Sequence, residues 1–119
     1  MNDDQETLVS ELNLLHERIC KAIGDPKRLL ILYALRDTPR YVVELADTLE
    51  LPQPTVSRHL AALFRSGLVS KERRGQAVYY ALRDPRILDA IDLMRAVMRE
   101  DTARMAALTE PKAVSPDKN

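Results

Sequence analysis

Side chains that donate or accept hydrogen bonds crowd one short stretch of this 119-residue chain. The stretch runs from position 53 to position 59, and five of its seven residues carry such groups: Gln53, Thr55, Ser57, Arg58 and His59. Val56, Leu60 and Leu63 recur at helical spacing, so one face of the predicted helix would be buried and the other polar. A polar helix start suits base edges, because the DNA major groove admits one helix and a docked helix reads with its N-terminal residues.

Basic residues dominate the same part of the chain. From Pro52 to Arg83 there are six basic residues and one acid, a net charge of +5, although the whole chain has 18 basic and 18 acidic residues. A local positive field attracts a polyanion even when the whole molecule is neutral. We therefore predict DNA contacts by the basic and polar residues that follow the first set, namely Arg65, Lys71, Arg73, Arg74 and Gln76.

His16 and Cys20 form the remaining pair with metal-binding chemistry. They lie four residues apart, on one face of a predicted helix. Three interpretations are open: a metal or metalloid pair completed across a dimer, a thiol sensor at Cys20, or a partly buried cysteine beside a surface histidine, which we favour. The chain has one cysteine and two histidines. Because a metal needs several soft or imidazole ligands, we predict no metal site and no cofactor.

The bulk properties favour one folded domain that is not an enzyme. No Ser, His and Asp set, glycine-rich phosphate loop or pair of carboxylates stands out. The composition, 45% hydrophobic and 30% charged, is typical of a folded domain, which we place at residues 1–110, with a disordered tail at residues 111–119. The sequence has no apolar run of membrane-spanning length and no secretory signal, so we expect a cytoplasmic protein without a membrane partner.

Four helices are predicted to precede a β-hairpin. The first ends at Gly24, to which we assign a left-handed conformation, and Asp25-Pro26 starts a second, central and buried helix. A short third helix covers residues 41–49. After a turn, the polar helix runs from Thr55 to Ser66, with Phe64 on its inner face and Gly67 as its cap.

The rest of the predicted fold is a basic hairpin and a long last helix. Residues 68–73 and 77–82 read as two strands around a tight Arg74-Gly75-Gln76 turn, and Asp84-Pro85 starts the helix. The fold class is therefore mostly α with a small β-hairpin wing, a winged helix-turn-helix. The terminal helices carry apolar stripes beyond what the core needs. We assign them to dimerisation: Leu8, Leu12, Leu15, Ile19, Ile87, Ile91, Met94, Met98 and Met105.

The segment PQPTVSRHLAALFRSGLVSKERRGQAVYYAL resembles the recognition helix and wing of ArsR/SmtB-type repressors. The family's run from Ser through His-Leu to Gly-Leu-Val corresponds to positions 57–69, and its Arg, Gly and Tyr of the wing to Arg73, Gly75 and Tyr80. Upstream, KAIGDPKRLLILYALRD is similar to the signature of the family's second helix. Glu50 departs from the pattern, since the turn of a helix-turn-helix often has glycine there.

The resemblance implies a homodimer that represses transcription by binding double-stranded DNA at an inverted-repeat operator. The resemblance is compatible with a small-molecule or ion inducer, which the sequence does not identify, and the usual metal sites are absent. Residues 41–45 lack the Cys-x-Cys pair of the third helix, and the last helix from Asp84 to Leu108 has no His. Two alternatives stay open: a metal- or thiol-responsive repressor that uses His16 and Cys20, and a winged-helix module that binds proteins.

Overall fold

The computed structural model describes residues 2–109. The chain divides into two compact units, Met1–Pro85 and Arg86–Asn119. The predicted tail at residues 111–119 and the end of the predicted domain at residue 110 lie outside the described residues. Within residues 2–109, no helix is both long and apolar enough to cross a bilayer.

The first unit begins with a helical segment in three parts. Helix α1 (Asp3–Leu15) starts at a capping box, in which Asn2 Oδ1 accepts from the Gln5 backbone N–H at 2.7 Å. A π-helical turn (His16–Cys20) and α2 (Lys21–Ile23) follow. The sequence predicted one regular helix here. The π turn differs because the Lys21 N–H donates to the His16 carbonyl, five residues back instead of four.

The break after α2 corrects the prediction for Gly24. Its φ is −73°, which is right-handed, so the glycine is not there for a positive φ. A Cβ at this position would lie 3.2 Å from the Cys20 carbonyl oxygen. Lack of space, and not backbone handedness, is therefore what favours glycine at this position.

Helix α3 (Pro26–Ala34) begins as predicted, with the Asp25 side chain accepting from the Lys27 N–H at 2.8 Å. Ile31, Leu32 and Leu35 are buried. Leu30 is 47% exposed, so the helix that was predicted to be central and buried has one exposed side.

Helices α4 (Val42–Leu49) and α5 (Gln53–Arg65) form the predicted helix-turn-helix. A left-handed residue follows each helix: Glu50, with a φ of +56°, comes directly after α4, and Gly67, with a φ of +80°, comes two residues after α5. At both ends a backbone N–H reaches five residues back, from Leu51 to Ala46 and from Leu68 to Leu63, each at 3.0 Å.

The predicted hairpin is confirmed and belongs to a three-stranded antiparallel sheet. Strands β2 (Val69–Arg74) and β3 (Ala77–Leu82) pair around Gly75, whose φ is +62°. The strand that the sequence missed is β1 (Arg40–Tyr41), which pairs with β3 at Tyr79 and Tyr80 and gives the order β1-β3-β2. The third predicted helix therefore starts one residue late, at Val42, because Tyr41 is extended.

The core of this unit lies between α3, α4, α5 and β2. Its fully buried aliphatic side chains hold α5 by one face; they are Ile31, Leu32, Leu35, Leu45, Val56, Leu60, Leu63 and Val69. Phe64 is not among them. It is 39% exposed, and the Lys71 Nζ lies 4.4 Å from its ring centre, so its placement on the inner face was wrong.

The second unit contains α6 (Arg86–Thr109). Ile91 is buried, and most of the other apolar side chains along the helix are exposed. The predicted long last helix is therefore present through residue 109.

Candidate nucleic-acid interface

The polar residues at the start of α5 lie on the surface. Pro52 is extended and the helix begins at Gln53, with proline in its first turn, where the missing N–H costs no helical hydrogen bond. Gln53, Ser57 and Arg58 are exposed and Thr55 is half-buried. Within residues 2–109 none of these four side chains has a hydrogen bond or an ion pair. Their donors and acceptors are therefore available to a ligand.

His59 lies inside the unit and not on this polar surface. It is 6% exposed, and its Nδ1 accepts from the Arg28 Nε at 3.2 Å. Its Nε2 lies 3.9 Å from Asp25 Oδ2, at the start of α3. The prediction that His59 contacts DNA is therefore corrected: the side chain joins α5 to α3.

The surroundings of His59 favour the neutral imidazole. Burial lowers its pKa below the ordinary value, and the neighbouring charges of Arg28, Arg58 and Lys27 act in the same direction, against the raising effect of Asp25. The pKa of Asp25 is itself lowered, first by the hydrogen bond from the Lys27 backbone N–H. At neutral pH the pair is thus an uncharged ring beside a carboxylate.

The two arginines at the hairpin tip differ in their side-chain contacts. Arg74 is 3.2 Å from Glu72 Oε1, and its guanidinium stacks 4.5 Å from the centre of the Tyr79 ring. Arg73 is exposed and has no side-chain partner among residues 2–109. Strand alternation places Arg73 on the same side as Lys71, which lies over Phe64 of α5. Gln76 is exposed beside Gly75.

Apolar side chains are exposed on both terminal helices. On α1, Leu8, Leu12 and Leu15 are 52%, 51% and 43% exposed, and Ile19 in the π turn is half-buried. On α6, Met94, Met98 and Met105 are 56%, 59% and 52% exposed. Ile87 is half-buried and Ile91 is buried. Contiguous exposed apolar patches mark contact surfaces, whereas singly exposed apolar side chains are ordinary.

His16 and Cys20 are both exposed, at the two ends of the π turn, so the prediction of a partly buried Cys20 is wrong for the single chain. Within residues 2–109, no three His, Cys, Asp or Glu side chains are grouped so that they could hold a metal ion. The structure therefore does not complete a site around this pair within the described part of one chain.

A helix-turn-helix followed by a hairpin with a basic tip defines the winged-helix class of proteins. Comparison with known sequences narrows the class. Residues 25–71 match the profile of the bacterial regulatory proteins of the arsR family. Over 77 residues the chain is 42% identical to the SmtB transcriptional repressor of Mycobacterium tuberculosis, which covers 61% of this chain and 57% of that protein.

Two further comparisons cover more of the relative's length. The arsenic resistance transcriptional regulator ArsR1 of Pseudomonas putida is 37% identical over 98 residues, 76% of each chain. A homodimeric winged helix-turn-helix DNA-binding domain from Mycobacterium bovis has a TM-score of 0.68 at 27% identity, over 87% of this chain and 93% of that one. The chain belongs to the ArsR family, which confirms the resemblance, although it spans only 57% of the length of the mycobacterial SmtB repressor.

Proposed function

We propose that this protein is a sequence-specific transcriptional repressor that binds an inverted-repeat DNA operator as a homodimer. The observation that carries the proposal is the set of exposed or half-buried polar side chains on the first turns of α5, which have no hydrogen bond or ion pair among residues 2–109 and lie opposite a buried face. Relatives that are named as transcriptional repressors and regulators support it. The cytoplasm, which holds the chromosome of a prokaryotic cell, is the compartment that this function requires.

The polar residues of α5 would read base edges. Arg58 suits the O6 and N7 acceptors of guanine, Gln53 suits adenine, and the hydroxyls of Thr55 and Ser57 suit either base. Arg65, Lys71, Arg73, Arg74 and Gln76 would contact the DNA backbone or the minor groove, which fixes the register of the protein on the duplex. Among them Arg73 contributes most in the wing, because Glu72 already pairs with Arg74.

Dimerisation would use the exposed apolar stripes of α1 and α6. The homodimeric Mycobacterium bovis domain supports this assignment. Two copies of α5 would then read the two half-sites of a symmetric operator, because operator symmetry mirrors the symmetry of the protein. We assign the protein no catalytic activity, and we assign it no particular inducer.

The proposal is tested with Arg58→Ala. The duplex is first selected from a random pool by binding to the unsubstituted protein, and the affinity of the variant for that duplex is then measured by titration at fixed salt. Loss of a contact to a base edge costs about 1–3 kcal/mol of binding free energy. Arg99→Ala is the matched control, because Arg99 is an exposed arginine on α6 with no side-chain partner in the described part of the chain. Equal affinity of Arg58→Ala and the unsubstituted protein would remove Arg58 from the reading surface. Absence of any enriched duplex would contradict the function itself.

A further inference from the structure

An open groove of about 270 Å³ lies in the first unit, where the end of the first helical segment meets the start of α3 and the end of α5. Four cationic side chains and one carboxylate line it, which gives a net charge of +3: Arg18, Lys21, Arg28, Arg65 and Glu17. Only Arg65 belongs to the residues assigned above to DNA. The other cations lie on helices that precede the helix-turn-helix.

Among residues 2–109 the cations of the groove are only partly compensated: Arg28 interacts electrostatically with the Asp25 carboxylate, which does not line the groove. Arg28 is fixed by its bonds to His59 Nδ1 and, through Nη1, to the Ala22 carbonyl at 3.3 Å, neither of which carries a negative charge. Arg18 and Arg65 have no hydrogen bond or ion pair among residues 2–109. Glu17, the one acid, is held by Lys21 Nζ at 2.8 and 3.0 Å, which lowers the pKa of its carboxyl group. Two free guanidinium groups beside a fixed one form a site for an oxyanion.

The position of the groove indicates which oxyanion it takes. Arg65 follows Arg58 by seven residues, about two helical turns, so both side chains lie on the same side of α5. The groove therefore continues the exposed surface that we propose for DNA. A duplex lying along α5 carries a regular row of phosphates past its end, whereas the apolar side chains that line the groove are only Ala22 and Ala62, less than a larger organic ligand needs.

We propose that Arg18 and Lys21, together with Arg28 and Arg65, bind a phosphate of the DNA backbone. The inference rests on the proposed function and extends its contact surface to the first helical segment. That segment then has two roles on two faces. Its apolar stripe at Leu8, Leu12 and Leu15 serves the dimer, while Arg18 and Lys21 face the groove.

The test is the salt dependence of DNA binding by full-length Arg18→Gln. Each lost phosphate contact lowers the slope of log affinity against log salt by about 0.9, so we expect a fall of that size on the enriched duplex and on a random-sequence duplex alike. Arg99→Gln removes an equal charge and should leave the slope unchanged. Arg18→Lys keeps a point charge and should keep most of the slope. An unchanged slope in Arg18→Gln would overturn the proposal.

Glu17→Gln tests the same groove in the opposite direction. The substitution removes the one acid and frees Lys21, so DNA should bind more tightly at low salt, and the gain should vanish when Arg18→Gln is added. Weaker or equal binding by Glu17→Gln would count against a phosphate at this place. Because the variant removes an exposed charge, it is expected to fold normally.

Two comparisons separate failure of the groove proposal from failure of the proposed function. If Arg58→Ala weakens DNA binding and Arg18→Gln leaves the salt slope unchanged, the groove proposal fails and the proposed function stands. If the unsubstituted protein itself binds no DNA, the proposed function fails as well. Inorganic phosphate titrated into the DNA-free protein supplies a further comparison: saturable binding that Arg18→Gln abolishes, with no change in the DNA slope, would assign the groove to a small phosphorylated molecule instead.

Discussion

At the residue scale, His59 shows where a sequence pattern misleads. Its neighbours Ser57 and Arg58 are exposed, and its own type suits a base edge, so the sequence predicted a DNA contact. The structure turns it inward, where it accepts from Arg28, a residue 31 positions earlier in the chain. No local pattern reveals a partner at that distance. The exposed face of α5 was predictable because the spacing of its apolar residues alone tells which face is buried. His59 lies at the boundary between the two faces, and its orientation was not predictable.

The internal position of His59 makes stability depend on pH. Its folded pKa is lowered, so below the ordinary value of about 6.5 the unfolded chain binds a proton that the folded chain resists. The free energy of unfolding therefore falls as the pH decreases below that value. His59→Asn keeps an acceptor for Arg28 and removes the titration, so urea unfolding between pH 7.5 and 5 should show a shallower decline. Parallel declines for both proteins would contradict this account of His59.

At the element scale, regular elements were predictable and short or irregular ones were not. The helix-turn-helix and the hairpin follow from apolar periodicity, proline and glycine. Strand β1 has two residues and exists only because Tyr79 and Tyr80 pair with it, so it has no alternation of its own to detect. The π turn likewise leaves no sequence signal. The sequence marked Glu50 only as a departure from the family's usual glycine, and the structure shows the reason for that glycine: the backbone of Glu50 is left-handed, with a φ of +56°.

Glu50 should therefore limit the stability of the helix-turn-helix. The left-handed conformation costs a residue with a Cβ about 1–2 kcal/mol, and it costs glycine nothing. Glycine, however, gives the unfolded chain more conformational freedom, which offsets part of the stabilisation. We expect Glu50→Gly to raise the free energy of unfolding by about 0.5–1 kcal/mol, measured by urea denaturation. Glu50→Ala keeps a Cβ and should change it little. If Glu50→Ala raised the free energy of unfolding as much as Glu50→Gly, the carboxylate and not the backbone would be the source of the strain.

At the scale of the whole molecule, the net charge is zero because the basic segment from Pro52 to Arg83 is offset by acidic residues elsewhere in the chain. The winged-helix fold and the family follow from the sequence because the motifs are dense between residues 25 and 82. The groove at Arg18 and Arg65 does not follow, since it gathers side chains from three separate helices. The exposed apolar stripes of α1 and α6 were visible as periodicity, but only the structure shows that Met94 and Met98 remain more than half exposed on one chain.

The stripe on α6 predicts the effect of a charge placed in it. Met98→Asp puts a carboxylate on the proposed dimer surface, where burying it without a partner is costly, so sedimentation of the full-length variant should show monomer at concentrations where the unsubstituted protein is a dimer. Arg99→Asp introduces the same side chain one position further along, off the stripe, and should leave the dimer intact. Dissociation by both substitutions, or by neither, would contradict the assignment of this surface.

Selection of bound DNA from a random pool, with the full-length protein as bait, tests the central claim most directly, because it reports sequence recognition and the symmetry of the proposed dimer together. We expect enrichment of an inverted repeat whose half-sites are centred about 34–36 Å apart, one helical turn, or a multiple of it. We also expect Arg58→Ala to relax the base preference at one position in each half-site. A pool that shows no enrichment, or that enriches a single asymmetric site, would contradict a homodimeric repressor.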